Sequence, residues 1–227
     1  MSKILVIAAH PDDEVLGCGG TMAKMAAAGK QVEVLILGEG AASRSDSKNA
    51  RVISEIEKLQ QNAKKAAKML GVKKVRFASL PDNRFDTVPL LDVIKKIEEV
   101  IAEVKPELVF TQHGGDLNVD HEVTFRAVMT AVRPLPGQGI RALYAYEVAS
   151  STEWAFQRFR PVFRPSLFVD IEKFMDNKIA AMKAYGQEVR TFPHPRSPEV
   201  LRAMAVCRGS MAGLTAAEAF ETIWEIQ

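Results

Sequence analysis

The feature that most limits the fold of this chain is an alternation. Short apolar or β-branched runs at residues 4–9, 32–37, 75–80, 108–112 and 143–148 take turns with helical patterns at 13–28, 52–70, 90–104 and 122–132. The runs are too short for helices and too apolar for loops, so they read as strands buried on both faces. Strands that alternate with helices pair in parallel, which predicts an α/β fold: a Rossmann-like, mostly parallel sheet with helices on both faces. Gly29 and Gly71 close the first two helices, and Lys105-Pro106 stops the third. After residue 150 the pattern loosens. One more strand is expected at 168–171 and helices at 173–185 and 198–206, so the C-terminal third is expected to be helical. No linker or repeat divides the chain, and a single domain over 1–227 is expected, a length that one core can serve.

Three of the four histidines fall in two clusters. The first is Ala9-His10-Pro11-Asp12-Asp13-Glu14; the second holds His113, Asp116, Asn118, Asp120 and His121. Each follows a predicted strand, and open α/β sheets bind ligands beyond the carboxyl ends of their strands. The clusters can therefore meet in space. One imidazole and one carboxylate from the first, joined by an imidazole from the second, make a two-histidine, one-carboxylate site of the kind that zinc and iron both use. Helix capping would also place aspartates at 12 and 13. Capping needs one carboxylate, though, and accounts for neither His10 nor the second cluster.

Other features exclude classes of function. A formal net charge of +2 gives no support for a nucleic-acid partner. Cys18 and Cys207 are isolated, which argues against a disulfide framework and a thiolate zinc knuckle. Gly17, Gly19 and Gly20 match neither GxGxxG nor a P-loop, so close helix packing or room for substrate explains them better than a nucleotide. No stretch approaches the roughly 18 apolar residues of a membrane span. The first residues enter a strand directly, without the pattern of a signal peptide. A soluble, cytoplasmic protein is expected.

The first cluster continues into Leu16-Gly17-Cys18-Gly19-Gly20, and then come Gly38-Glu39-Gly40, Leu70-Gly71-Val72 and Asn118-Val119-Asp120-His121. In this order the motifs resemble those of the LmbE-like deacetylases, the family that includes the PIG-L N-acetylglucosaminyl-phosphatidylinositol deacetylases. The resemblance implies zinc held by His10, Asp13 and His121, with Asp12 as general base. The chemistry of the residues agrees. His10 and Asp13 are three apart at a strand-to-helix turn, Pro11 suits the helix entrance, and three protein ligands leave a fourth zinc position for water. Another divalent metal such as Fe2+ fits the same ligands.

Around this centre, Glu14, Asp116 and Asp120 are candidates to orient the first residues. Several relatives carry a histidine three residues before the last zinc ligand, where it stabilises the oxyanion and protonates the leaving amine; Asn118 stands there in this chain. His113 is assigned the role instead, with Asp116 or Asp120 holding its imidazole and Asn118 as the alternative oxyanion donor. Arg44, in the Gly-, Ser- and charge-rich loop 38–49, and Arg190, His194 and Arg196 are candidate substrate contacts. They predict a preference for an anionic or phosphorylated substrate.

The expected function is a zinc-dependent hydrolase removing an acetyl group from an N-acetylated amino sugar, free or within a sugar nucleotide or glycoconjugate. Alternatives are an amidase of a sugar–thiol conjugate of the mycothiol or bacillithiol type, or a non-catalytic metal- or sugar-binding protein. Asp12 discriminates against the last, since binding needs no carboxylate beside the ligands. Assembly as a homo-oligomer stays open.

Overall fold

A computed structural model of the chain describes residues 2–41 and 50–226. Strands and helices alternate as expected through β1 (Lys3–Ala8), α1 (Asp13–Ala27), β2 (Gln31–Gly38), α2 (Ala50–Met69), β3 (Lys74–Leu80), α3 (Leu90–Val104), β4 (Leu108–Gln112), α4 (Val119–Ala131) and β5 (Ala142–Tyr146). They are followed by β6 (Leu167–Asp170), α5 (Met175–Ala184), α6 (Pro198–Ser210) and β7 (Ala217–Glu225). Among the described residues, seven strands form one sheet in the order β3-β2-β1-β4-β5-β7-β6. β1 to β5 pair in parallel, and β7 runs antiparallel to both β5 and β6.

The two-residue period of the strands divides the core. Ile4, Val6, Ala8, Val34 and Phe110 face a layer built with α1, α2, α5 and α6, whereas Leu5, Ile7, Leu35, Val109 and Leu143 face α3 and α4. Both faces are covered, which is why the strands read as continuous apolar runs. The chain winds outward from β1 to β2 and β3, then returns past β1 to β4 and β5. The reversal opens a crevice between the carboxyl ends of β1 and β4, and both histidine clusters leave the sheet there.

The C-terminal third departs from the helical expectation. It contains α5, α6 and the expected strand β6, but an unforeseen strand, β7, also lies there and closes the sheet against β5. Charged residues at 218, 221 and 225 disguise β7 in the sequence. Glu218 is nevertheless buried, because tertiary partners satisfy it. Lys178 of α5 donates to its Oε1 at 2.6 Å, and the backbone N–H groups of Gly20 and Thr21 donate to it at 2.9 and 2.7 Å. Lys178 also donates to the Leu16 carbonyl at 2.7 Å, so α1, α5 and β7 are fastened at one point.

Among the described residues, no helix is long and apolar enough to cross a membrane. Gly17 of α1 lies against the ring of Tyr146, where an added Cβ would come within 2.0 Å of the ring, so close helix-to-strand packing explains this glycine.

Replacing Lys178 by Met should leave Glu218 buried without its cation and cost about 3–5 kcal/mol of stability. Urea unfolding measures this, and a loss below about 1 kcal/mol would show that the ion pair does not hold α1 to β7.

Candidate metal centre

The turn between β1 and α1 has a specific geometry. Asp12 has φ 108°, a left-handed conformation that costs a non-glycine residue about 1–3 kcal/mol and persists only where its surroundings enforce it. Glu14 supplies part of that enforcement by accepting the Asp12 N–H at 3.1 Å, while its other oxygen accepts from the Tyr185 hydroxyl. The Asp12 carbonyl accepts from Val15 and Leu16 at 3.0 and 2.9 Å, which starts α1. Asp13 reaches back to the His10 N–H at 2.8 Å. Glu14 therefore fastens the Asp12 backbone; it does not orient the His10 ring.

Opposite this turn, α4 begins three residues earlier than its sequence pattern suggests. Asn118 caps it by accepting from the Asp120 N–H at 2.8 Å, and its amide donates to Asn83 Oδ1 at 3.0 Å. Asp120 and His121 thus occupy the first helical turn, and a rigid element aims His121 at the crevice.

Three donor atoms converge there. His10 Nδ1 lies 3.3 Å from Asp13 Oδ2, His121 Nε2 lies 3.1 Å from the same oxygen, and the two nitrogens are 3.3 Å apart. Ligands about 2.0–2.1 Å from a tetrahedral zinc are separated by about 3.3 Å. The triangle matches one face of such a tetrahedron. The remaining nitrogen of each imidazole meets a carboxylate: His10 Nε2 is 3.0 Å from Asp120 Oδ2, and His121 Nδ1 is 2.9 Å from Asp116 Oδ2. These contacts fix each ring with its outer N–H on a carboxylate and its inner nitrogen toward the centre, the usual support of metal-binding histidines. Asp116 is itself anchored by the Leu117 N–H at 2.7 Å and the Thr152 hydroxyl at 3.0 Å.

Asp82, after β3, adds a carboxylate 3.4 Å from His10 Nε2. His10, Asp82 and Asp120 form a second group of potential ligands, sharing the same histidine.

Acidic neighbours set the protonation of both imidazoles. Burial alone would depress the imidazolium of His10, yet hydrogen bonds to Asp120 and Asp13 push its pKa up to about 10. Burial likewise opposes protonation of His121, and Asp13 and Asp116 outweigh it to give about 9. Burial would raise Asp13, but the two facing imidazoliums hold its carboxyl well below the usual range. Burial pushes Asp12 well above that range, with the Arg196 guanidinium opposing it. Burial also lifts Glu14 to about 7 against the hydrogen bond from Tyr185.

The centre opens into a cavity of about 590 Å3, within the range that takes small molecules. Asp12, Asn118 and Arg196 line it, together with Asp82, Trp154 and Glu188, which the sequence reading missed. Applying the strand-end rule to β3 and β5 as well as β1 and β4 would have flagged Asp82 and Trp154. Glu188 carries no comparable signal.

Other sequence expectations land elsewhere. His113 is fully buried outside this cavity, with Nδ1 2.7 Å from Glu221 Oε2 and Nε2 2.9 Å from the Pro161 carbonyl. Both ring nitrogens face acceptors, so the imidazole ties the segment around Pro161 to β7. Gly115 permits that approach, since a Cβ there would sit 1.7 Å from the Pro161 oxygen. Asp116 and Asp120 hold His121 and His10, not His113. Arg190 is exposed and does not line the cavity. His194 also lies off the cavity wall, edge-on to Trp154 at 5.4 Å, with Nδ1 accepting the Arg196 N–H at 3.1 Å. Arg44 falls outside the described residues.

Comparison with solved structures places the whole chain in one fold. It superposes on a conserved protein from Thermus thermophilus with TM-score 0.77 and 26% identity, covering 100% of this chain and 97% of the other. It superposes equally well on GalB, the 4-carboxy-2-hydroxymuconate hydratase of Pseudomonas putida, with TM-score 0.78, 22% identity and coverage of 100% and 98%. The fold alone therefore does not select the chemistry. Among curated relatives, an uncharacterized deacetylase of Escherichia coli is 29% identical over 80% of this chain and 89% of its own length. The diacetylchitobiose deacetylase of Thermococcus kodakarensis is 26% identical over 96% of this chain and 82% of its own. The family model described as PIG-L, GlcNAc-PI de-N-acetylase, matches residues 5–132, which hold the triangle of donor atoms and Asp12. This chain belongs to the PIG-L family.

Proposed function

We propose that this protein is a metal-dependent N-deacetylase that hydrolyses the acetamide of an N-acetylglucosamine-type sugar, with zinc held by His10, Asp13 and His121. The observation that carries the reading is the triangle of donor atoms beside a carboxylate, Asp12, that belongs to the cavity wall but not to the triangle. A binding protein has no use for that fourth group. A divalent cation on these donors supplies Lewis acidity for the acetamide carbonyl and for the attacking water.

The chain's own groups manage the protons. Asp12 Oδ2 is held by Arg196 at 2.7 Å, and among the described residues no hydrogen bond reaches Oδ1. Oδ1 is the proton acceptor for the attacking water. The carboxyl formed there then returns the proton to the departing amine, so one residue serves as base and acid in turn. Burial raises the affinity of Asp12 for a proton, which suits both halves of the task. His113, sealed behind the Pro161 segment, takes no part. Asn118 contributes by capping α4 and lining the cavity.

The lining charges bear on the substrate. Among the described residues, Asp12, Asp13, Asp82 and Glu188 line the cavity with the imidazoles of His10 and His121 and with Arg196, which already bonds Asp12 and Glu188. This arrangement favours an uncharged saccharide over the phosphorylated one that the arginines predicted. Trp154, exposed on the cavity wall, offers an aromatic face to a sugar ring.

Three outcomes follow. Asp12→Asn should keep metal and substrate binding and lose turnover by about two to four orders of magnitude. Asp13→Asn should lose metal. Acetate release from N-acetylated sugars together with elemental analysis reads both, and near wild-type turnover of Asp12→Asn would refute the proton-transfer role. An uncharged N-acetyl sugar should exceed its phosphorylated form in kcat/KM by at least about tenfold, a difference of about 1.4 kcal/mol; the reverse order would refute the charge argument.

Finally, metal uptake must displace the protons that His10 and His121 carry at neutral pH. Both pKa values are raised, so affinity should fall as pH drops below about 10, and more steeply below about 9. About two protons should be released per ion near pH 7, as calorimetry in buffers of different ionisation enthalpy would measure. Uptake without proton release would contradict protonation of the two imidazoles at neutral pH.

A further inference from the structure

The geometry points to Arg196 as a positioning residue that keeps the Asp12 carboxylate aimed during turnover, an inference that rests on Asp12 being the proton acceptor. Arg196 lies beyond the stretch matched by the family model, in the segment leading into α6. Its Nη1 donates to Asp12 Oδ2 at 2.7 Å and to Glu188 Oε2 at 3.2 Å, and its Nε donates to Ser150 Oγ at 2.8 Å. These acceptors come from the start of α1, the turn before α6 and the loop after β5. A planar guanidinium bonded at Nη1 and Nε has little freedom left, a constraint that a lysine ammonium could not reproduce.

The base needs such a partner. Asp12 is buried beside Asp13 and Glu14, where an unanchored carboxylate would turn away from its acidic neighbours. Arg196 opposes that rotation by holding Oδ2. By engaging Oδ2 it also determines which oxygen remains for the reaction. Its own support is rigid: Ser197 caps α6 by accepting from the Val200 N–H at 3.2 Å, and the Arg196 N–H is held by His194 Nδ1. The C-terminal third thereby completes a site whose metal-ligand triangle lies entirely in the first part of the chain.

The test is a cycle of Arg196→Met and Asp12→Asn on the metal-loaded full-length protein, read by acetate release from an N-acetylated amino sugar. Arg196→Met should lower kcat by about 10- to 100-fold, with metal content retained and KM nearly unchanged. It should add no further loss on the Asp12→Asn background. Arg196→Lys should recover only part of kcat, and added guanidinium ion should raise the kcat of a metal-loaded Arg196→Ala variant. Additive losses, a raised KM with kcat intact, or no rescue in that variant would each overturn the assignment. Full turnover in Asp12→Asn would instead sink the base assignment beneath it. An inactive Asp12→Asn beside a fully active Arg196→Met would sink only the role of Arg196.

Discussion

Burying charge of one sign in one place is the constraint on which this structure turns. Asp13, Asp82, Asp116 and Asp120 surround two imidazoles at the ends of β1 and β4, all within the protein. Their mutual repulsion and lost hydration are bearable only if positive charge accompanies them. Protonated imidazoles can provide it, and a divalent cation that displaces their inner protons provides it in another form. The same carboxylates that raise the two histidines also orient them. The charge state and the geometry of the two rings therefore have a common origin.

The sheet topology decides where this happens. The reversal between β1 and β4 opens the crevice, and each strand end feeds a helix whose first turn carries donor groups. At the first turn Asp13 answers His10 across an i,i+3 spacing; at the second, the Asn118 cap brings α4 forward so that Asp120 and His121 lie on a rigid element. Asp12 is separated from its neighbour by the left-handed backbone at residue 12. Two adjacent aspartates thereby reach different tasks, one in the triangle and one held by Arg196.

The last third of the chain supports the site from outside. Lys178 and Glu218 tie α1 to β7, Tyr185 holds Glu14, and Arg196 meets Asp12. His113, despite its place in the second cluster, belongs to the same scaffolding, since it joins β7 to the segment around Pro161. The fold is shared with a hydratase, so the chemistry rests on these side chains and not on the sheet.

The sequence by itself determined what depends on neighbouring residues and on general rules of chain direction. Apolar periodicity announced the first five strands and the four helices between them. The rule that ligands gather at strand ends brought the two histidine clusters together, and the resemblance of their motifs to the LmbE-like deacetylases singled out His10, Asp13 and His121. Only the tertiary structure decided contacts between residues far apart in the chain. It gave Asp82 and Glu188 to the cavity, turned His113 away from it, and paired Arg196 with Asp12. It also made β7 a strand, because Lys178 and the N–H groups of α1 satisfy a glutamate that would otherwise keep that segment in water. Local pattern cannot encode such partners, since what makes a charged residue buriable lies in another part of the fold.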